Sequence, residues 1–303
     1  MSRVFLCSIT CFDADGALDL TAQSALFERA ARAGVGLYVG SASPGEGHAL
    51  RPEETDALLR AAVAAAGGRV SVRAMGVEPR SAAQMIEFLE LAGGTGVDAA
   101  QIYSLDMGHG GQPTPAELES YFRRAIESTG LPVALSSHMY NGYLVPPEMI
   151  ERLAADYPHL IAVNATTPDV PYLSELLERV RGRLEVCVGG PMHALTALGM
   201  GGDGYLCTEA ALIPERCAAL GRHFERGEIE KAAAAHADVL RWMRTLGCVS
   251  GMSVRRTKAA MTVFGLPGTG LREPHAPLDP EEIETLREAL RNAGLRAEVP
   301  PDA

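Results

Sequence analysis

The chain has 303 residues, of which 47% are hydrophobic, and it carries a formal net charge of −11. A chain of this size and balance can bury a large core, which excludes a disordered protein and is typical of a soluble globular one. The negative charge argues against nucleic acid and anionic membrane surfaces as partners, and no apolar run is long enough to span a bilayer.

The cysteines and lysines of the sequence indicate the cellular compartment and limit the possible chemistry. The six cysteines include no CxxC pair, and four lie in or beside strand-like runs, which indicates buried free thiols in a reducing cytoplasm. The N-terminal run MSRVFLCSIT has no separate apolar segment with a cleavage site, so we expect no secretion signal. Lys231 and Lys258 are the two lysines of the chain, which restricts any chemistry that needs an amine.

Strand-like and helical segments alternate from residue 3 to about residue 210. The strand-like runs are, in order, VFLCSIT, GLYVG, RVSVRAMG, DAAQIYS, PVALSS, HLIAVNATT, LEVCVGG and GYLCTEA. Helices are predicted near residues 20–33, 52–66, 80–93 and 114–129, and in VPPEMIERLAADY between the fifth and sixth runs. Eight such units are typical of a closed (β/α)8 barrel, which we assign to residues 1–210.

After residue 210 the alternation stops and four helical segments follow, beginning with ALIPERCAALGRHFERG. We assign residues 211–303 to a C-terminal helical extension packed on the barrel, because this part has few strands for a core of its own. The glycine-rich run GMGGDG leads into a strand, whereas a phosphate-binding loop would open a helix. We therefore predict no nucleotide cofactor, and no other cofactor is expected.

Polar residues gather where the predicted strands end. Parallel strands of strand–helix–strand units open their carboxyl ends on one side of the sheet, and catalytic groups of barrels lie there. In the stretch from Leu131 to Asp169 these positions are Ser136, Ser137, His138, Asn164, Thr166 and Thr167. We expect them at one rim.

Several segments together resemble one known family. These are ASPGEGHAL followed by RPEE, then LVPPEMIERLAADYPHLIAV and GDGYLCTEAALIP, and finally TKAAMTVFG with LREPHAPL and LREALRNAGL. In order and spacing they resemble the dihydrodipicolinate synthase / N-acetylneuraminate lyase family. The resemblance implies a (β/α)8 barrel with a helical tail, and a homo-oligomer such as a dimer or tetramer.

The family's chemistry depends on a lysine at the end of the sixth strand, which forms a Schiff base with a 2-oxo acid. The matching position here is Asn164, within IAVNATT. An amide cannot form an imine, and neither Lys231 nor Lys258 is predicted at the barrel mouth. The resemblance therefore implies a divergent member that lacks the Schiff-base lysine.

Other family positions are changed as well. The proton-shuttling tyrosine of the fifth strand falls at Ser136, and the tyrosines after the fourth strand fall at Asp106 and Met107. The paired threonines that receive the substrate carboxylate fall at Ser43 and Pro44, and proline has no backbone N–H to donate.

We therefore predict a lyase or aldolase-like enzyme that acts on a small substrate, such as a 2-oxo acid or a related carbonyl compound, without a Schiff base. The predicted catalytic residues are Asn164, His138, Ser136, Asp106 and Glu209, and the predicted substrate-binding residues are Ser43, Glu46, Thr166 and Gly189. His138 is suited to general acid–base work, and Asn164 and Ser136 to stabilising an oxyanion or enolate.

Two alternatives stay open. Asp106, His138, Glu209 and His48 are ligand types that could hold a divalent ion, although no HxH or HExxH spacing is present and no metal is assigned. The barrel could also bind a ligand without catalysis, since several family side chains are lost together. Glu46 has a structural alternative, because the family itself carries a glutamate there.

Overall fold

A computed structural model describes residues 3–298. Its eight strands are β1 (Arg3–Cys7), β2 (Gly36–Val39), β3 (Val72–Ala74), β4 (Ala99–Ile102), β5 (Val133–His138), β6 (Leu160–Thr166), β7 (Glu185–Gly189) and β8 (Gly204–Cys207). Each pairs in parallel with its neighbours in sequence, and β8 pairs with β1 to close the barrel. The predicted (β/α)8 architecture is confirmed.

A helix follows every strand on the outside of the barrel. These helices are α1 (Leu20–Arg32), α2 (Pro52–Ala66), α3 (Ala82–Gly93), α4 (Pro115–Glu127), α5 (Pro147–Asp156), α6 (Val170–Val180), α7 (Ala194–Gly199) and α8 (Pro214–Glu225). Three more helices follow within residues 211–303, the predicted extension that also includes α8: α9 (Ile229–Leu246), α10 (Ser253–Val263) and α11 (Pro280–Asn292). Helix α8 packs against both β1 and α9, so it connects the barrel to the last three helices.

Local sequence explains where these helices begin. At the start of α4 the Thr114 hydroxyl accepts a hydrogen bond from the Glu117 N–H at 3.3 Å, and the Glu117 carboxylate accepts one from the Thr114 N–H at 2.7 Å. This reciprocal cap, followed by Pro115, satisfies N–H groups that a helix leaves unpaired. None of the helices in residues 3–298 has the length and apolar character of a membrane-crossing helix.

The strands alternate between the barrel interior and the helical layer. On β5, the Ser137 hydroxyl points outward, where it lies 2.7 Å from the Tyr172 hydroxyl and accepts from the Val145 N–H at 3.0 Å. Ser136 and His138 therefore point inward. In register, Ser136 pairs with Asn164 and His138 with Thr166, so these four residues form two successive interior levels.

The lower interior of the barrel is polar. The Arg73 guanidinium donates to both carboxylate oxygens of Glu185 at 3.0 Å and to the Tyr38 hydroxyl at 3.1 Å. It also stacks over the Phe5 ring, 4.6 Å from the centroid. A buried guanidinium needs a counter-charge and hydrogen-bond acceptors, and the bidentate ion pair with Glu185 supplies both to Arg73.

Two ion pairs join α10 and the loop between α10 and α11 to the barrel. Lys258 of α10 is completely buried, and its ammonium donates to the Glu46 carboxylate and to the Gly270 carbonyl. The Arg272 guanidinium donates to both oxygens of Glu54 at 2.8 and 2.7 Å, which holds the pKa of Glu54 down to about 2. The extension is thus attached through buried charge as well as through apolar packing.

Candidate active site

The carboxyl end of β6 places Asn164 inside the barrel. Its Nδ2 donates a hydrogen bond to Gln101 Oε1 across from β4. Among the described residues, Asn164 Oδ1 and Gln101 Nε2 lack a well-aligned hydrogen bond, but the Tyr38 hydroxyl interacts with the Asn164 amide and the Tyr103 hydroxyl with the Gln101 amide. The two amides and the two tyrosine hydroxyls therefore form one polar layer inside the barrel.

His138 lies one level nearer the mouth. It is 3% exposed, and neither ring nitrogen has a hydrogen-bond partner among the described residues. Burial lowers its pKa to about 4, so the imidazole is uncharged at neutral pH. The ring packs edge-on against Tyr103, with 5.5 Å between centroids. An uncharged ring nitrogen can accept a proton, which is what a general base requires.

A carboxyl group stands beside this imidazole. Glu78 Oε1 lies 3.6 Å from His138 Nε2, just beyond hydrogen-bond distance. Burial raises the pKa of Glu78, and the nearby Asp106 raises it further. A carboxylate at this distance would favour the imidazolium that forms when His138 accepts a proton.

Two further carboxyl groups belong to the same end of the barrel. Asp106 lies in the loop after β4, where its Oδ1 accepts from the Gly108 N–H at 2.9 Å and its Oδ2 is 3.9 Å from the exposed Arg80. Glu209 is buried just after β8, and burial raises its pKa although backbone N–H groups bond to it. Among the described residues no three His, Cys, Asp or Glu side chains form a group that could hold a metal ion.

Thr166 and Gly189 form the neighbouring part of the interior surface. A Cβ added to Gly189 would lie 1.9 Å from Thr166 Oγ1, so the threonine hydroxyl occupies the space over the glycine. Thr166 of β6 pairs with His138 of β5. Ala165 pairs with Val188 of β7, so the next residues, Thr166 and Gly189, lie side by side at the level of His138. The structure thus brings Thr166 and Gly189 together with the predicted catalytic residues of β5 and β6.

The loop after β2 is arranged differently. Ser43 is exposed at the rim, and the Gly45 N–H and Gly47 N–H donate to the Ser41 side chain and carbonyl at 3.1 and 2.8 Å. Glu46 is completely buried, and its carboxylate accepts from Lys258 and from the Arg272 N–H at 3.1 Å. Both oxygens of Glu46 are therefore occupied, which favours the structural alternative for this residue.

Neither lysine is near Asn164. Lys231 is exposed on α9 and pairs with Glu228 at 2.8 Å. Lys258 donates to Glu46 and Gly270 in the buried contact between α10 and the loops. The amine needed for an imine is thus not placed in the barrel interior by the residues that the structure describes.

Sequence reasoning missed three residues of this site. Gln101 and Tyr103 both lie in DAAQIYS, where alternation from the strand period places them on one face. A glutamine inside an otherwise apolar buried strand was the available signal. Glu78 follows the short β3 by four residues, and nothing in its local pattern distinguishes it from a surface glutamate.

A cleft of about 650 Å³ opens at the opposite end of the barrel, where Ile161, Glu185 and Asp203 begin or precede strands. Barrel enzymes carry their active sites at the carboxyl ends of the strands. The converging acid–base and amide groups also lie at that end. We therefore place the candidate site at the mouth, above Asn164 and Gln101.

Comparisons with known proteins agree with this architecture. A family model described as the dihydrodipicolinate synthetase family matches residues 1–293. The 4-hydroxy-tetrahydrodipicolinate synthase of Acidothermus cellulolyticus is 30% identical over 301 residues, covering 97% of this chain and 92% of that protein. The enzyme of the same name from Hyphomonas neptunium is 31% identical over 292 residues, covering 93% and 94%.

Solved structures have the same fold. YagE, a prophage protein of the dihydrodipicolinic acid synthase family from E. coli K12 solved in complex with pyruvate, is 26% identical with a TM-score of 0.88, covering 97% of this chain and 99% of that one. A monomeric dihydrodipicolinate synthase variant is 22% identical with a TM-score of 0.89, covering 97% of each chain, and shows similarity of fold alone.

Proposed function

The chain belongs to the dihydrodipicolinate synthetase family, and we propose that it is a lyase or aldolase-like enzyme that works on a small carbonyl compound without a Schiff base. The observation that carries this proposal is Asn164 at the interior end of β6, together with two lysines engaged elsewhere. Enolate chemistry then needs another source of stabilisation for the developing negative charge.

The groups around His138 support such a reaction. In carbon–carbon cleavage, the imidazole takes the proton of the substrate's β-hydroxyl group, whose oxygen electrons form the carbonyl of the released aldehyde. The carbon–carbon bond breaks, and its electron pair moves to the remaining carbonyl oxygen as an enolate. An N–H of the Gln101–Asn164 pair donates to this enolate, and His138 returns the proton to the enolate carbon. Condensation is the same sequence in reverse.

Glu78 and Ser136 assist this proposed reaction. Glu78, 3.6 Å from Nε2, stabilises the imidazolium while the proton is held, and it is an addition to the predicted catalytic residues. Ser136 is buried beside Asn164 in register and presents a hydroxyl to the same interior space. In this proposal, Asp106 and Glu209 contribute carboxyl groups to the mouth of the barrel and take no part in proton transfer.

The first test asks whether an imine forms. Pyruvate and then borohydride are added to the protein, and the intact mass is measured. We expect no increase in mass for the wild type, whereas Asn164→Lys is expected to gain the reduced adduct if residue 164 is reachable by the substrate. A wild-type adduct would contradict the proposal.

The second test asks whether the site is catalytic. β-Hydroxy carbonyl compounds are incubated with the protein, and cleavage is followed by NMR. We expect His138→Gln to lower the rate by about 100-fold or more, the range for loss of a general acid–base group. His109→Asn, at an exposed loop position with a positive φ of 51° that asparagine tolerates, serves as the control. Binding without cleavage across the series would favour the non-catalytic ligand-binding alternative.

A homo-oligomer stays part of the proposal. Light scattering coupled to size-exclusion chromatography measures the mass in solution, and a dimer or tetramer is expected.

A further inference from the structure

The cleft at the amino ends of the strands is lined by two arginines without partners among the described residues. Its volume is about 650 Å³, and the end of α6, the start of β7 and the turn before β8 surround it. Arg181 and Arg183 are exposed at its wall, and within residues 3–298 neither guanidinium makes a hydrogen bond or an ion pair. By contrast, Arg179 of α6 pairs with Glu175 and Glu151 at 2.8 and 3.0 Å. The cleft therefore presents guanidinium groups that a ligand can use.

The Arg181 side chain extends from the end of α6 to the turn before β8. A Cβ added to Gly201, in that turn, would lie 3.4 Å from Arg181 Nη2, and both residues line the cleft. Arg183 follows Gly182, whose φ of +75° forms the turn that ends α6. Two guanidinium groups are thus carried to one opening by a single turn of the chain.

The two carboxylates that line the cleft are already bound within the protein. Both oxygens of Glu185 accept from the Arg73 guanidinium at 3.0 Å. Asp203 Oδ2 accepts from the Val186 N–H at 2.8 Å, which holds this carboxylate at the start of β7. Because Arg73 balances the charge of Glu185, the two unpaired guanidinium groups face one remaining carboxylate. The cleft is net positive in a chain whose formal net charge is −11.

The end of α6 does not by itself account for these arginines. Basic side chains near a helix C-terminus are favoured by the helix dipole and can bond to the last carbonyl groups. Here the Val180 carbonyl accepts from the N–H groups of Arg183 and Leu184 at 3.0 and 3.1 Å. Neither guanidinium bonds to a carbonyl group of the described chain. Their side-chain donors therefore stay free.

Another part of the cleft wall is apolar. Leu177, Leu184 and Val186 are 4%, 6% and 2% exposed, and Ile161 lies beside them at the start of β6. Small-molecule sites in proteins have volumes of about 300–1,000 Å³, so a cleft of about 650 Å³ has room for an organic molecule beyond a single inorganic ion. The wall thus combines cationic donors with a surface for a carbon skeleton.

We propose that this cleft is a second ligand site, which binds a small organic dianion, either a phosphate monoester or a dicarboxylate. The guanidinium groups of Arg181 and Arg183 donate to the oxygens of the anion, because their planar forks match the geometry of carboxylate and phosphate. The carbon skeleton packs on Leu184 and Val186. The site lies at the opposite end of the barrel from Asn164, so it is separate from the proposed reaction.

The first experiment compares ligands that differ in charge. Glycerol 3-phosphate, succinate and uncharged glycerol are titrated into the full-length protein at pH 7.5 and low salt, and ligand-observed NMR gives the dissociation constants. We expect saturable binding of at least one dianion, and the tighter of the two identifies the anionic group. Glycerol is expected to bind at least about tenfold more weakly than the preferred dianion, because it has no charge for the guanidinium groups.

Substitutions then locate the site. The double variant Arg181→Gln and Arg183→Gln is expected to weaken dianion binding by about tenfold or more, and each single variant by an intermediate factor. Arg179→Gln is the matched control, because it removes a guanidinium from the same helix that is already paired with carboxylates. It should keep the wild-type dissociation constant within about twofold. His138→Gln, at the mouth, should also leave dianion binding unchanged, and circular dichroism establishes that each variant is folded.

Each of the following results overturns the proposal. Absence of saturable binding by both dianions up to their solubility rules out the ligand class. Equal binding of glycerol and glycerol 3-phosphate, without binding of succinate, rules out recognition of charge. Binding that persists in the folded double variant, or that is lost in His138→Gln, places the anion outside this cleft.

Discussion

The imidazole of His138 is buried as a neutral group, and this has a consequence for stability. The unfolded chain takes up a proton at this residue near pH 6.5, whereas the folded chain does so near pH 4. Between these values the unfolded state binds more protons. The stability contributed by the neutral imidazole is therefore present above pH 6.5 and is lost as the pH falls toward 4.

We expect His138→Gln to flatten this part of the pH profile. The wild type should lose on the order of 3 kcal/mol more than the variant between pH 7 and pH 4, from a pKa difference of about 2.5. Urea unfolding at successive pH values measures the difference. His109→Asn, at an exposed position, should follow the wild type, and parallel profiles for His138→Gln and wild type would contradict the assignment.

The two lysines provide a matched comparison of buried and exposed charge. Lys258→Met leaves the buried Glu46 carboxylate without its ammonium partner, and we expect a loss of about 3–5 kcal/mol in the free energy of unfolding. Adding Glu46→Leu should recover much of that loss, because the buried charge is then removed too. Lys231→Met, at an exposed ion pair, should leave the urea midpoint at its wild-type value. Equal effects at both lysines would contradict the burial of Lys258.

At the scale of single elements, the fit between β6 and β7 depends on Gly189. Because a Cβ there would lie 1.9 Å from Thr166 Oγ1, we expect Gly189→Ala to destabilise the fold by about 1–3 kcal/mol. Adding Thr166→Ala removes the hydroxyl and should recover part of the loss. Thermal unfolding of the single and double variants measures this coupling, and additive effects would show that the two residues are not in contact.

The loops after β4 and β5 are held together by a side-chain clamp. Asn141 Nδ2 donates to the Ser104 and Leu105 carbonyls at 3.1 and 3.2 Å, and the Tyr143 hydroxyl donates to Leu105 at 2.8 Å. Asp106 lies directly beyond these residues. The position of this rim carboxylate is thus set by contacts from the neighbouring loop, which local sequence patterns do not predict.

At the scale of the whole molecule, barrel and extension are joined by the Lys258–Glu46 pair and by α8. Trp242, the one tryptophan of the sequence, is completely buried in α9 and so reports on the extension. We expect its fluorescence and the far-UV circular dichroism of the whole chain to show the same urea midpoint, because neither part buries its contacts alone. Separate midpoints would instead support two independently folding units divided near residue 210.

Much of the architecture and part of the site could be predicted from sequence. Eight apolar runs separated by amphipathic helices define a (β/α)8 barrel, and the period of two residues in a strand orients Ser136, His138, Asn164 and Thr166 inward. These predictions depend on the local spacing of apolar and polar residues, which can be read from each segment separately. That Asn164 takes the position of the family's lysine is a prediction that rests on a single residue type in a recognisable segment.

The tertiary structure alone decided which polar groups meet. Lys258 and Glu46 are 212 residues apart, and Asn164 and Gln101 are 63 apart on strands that are not neighbours in the barrel. Glu78 becomes a partner of His138 because barrel closure brings the ends of β3 and β5 around one opening. Such contacts depend on how the strands are staggered and closed, and no local pattern records that geometry.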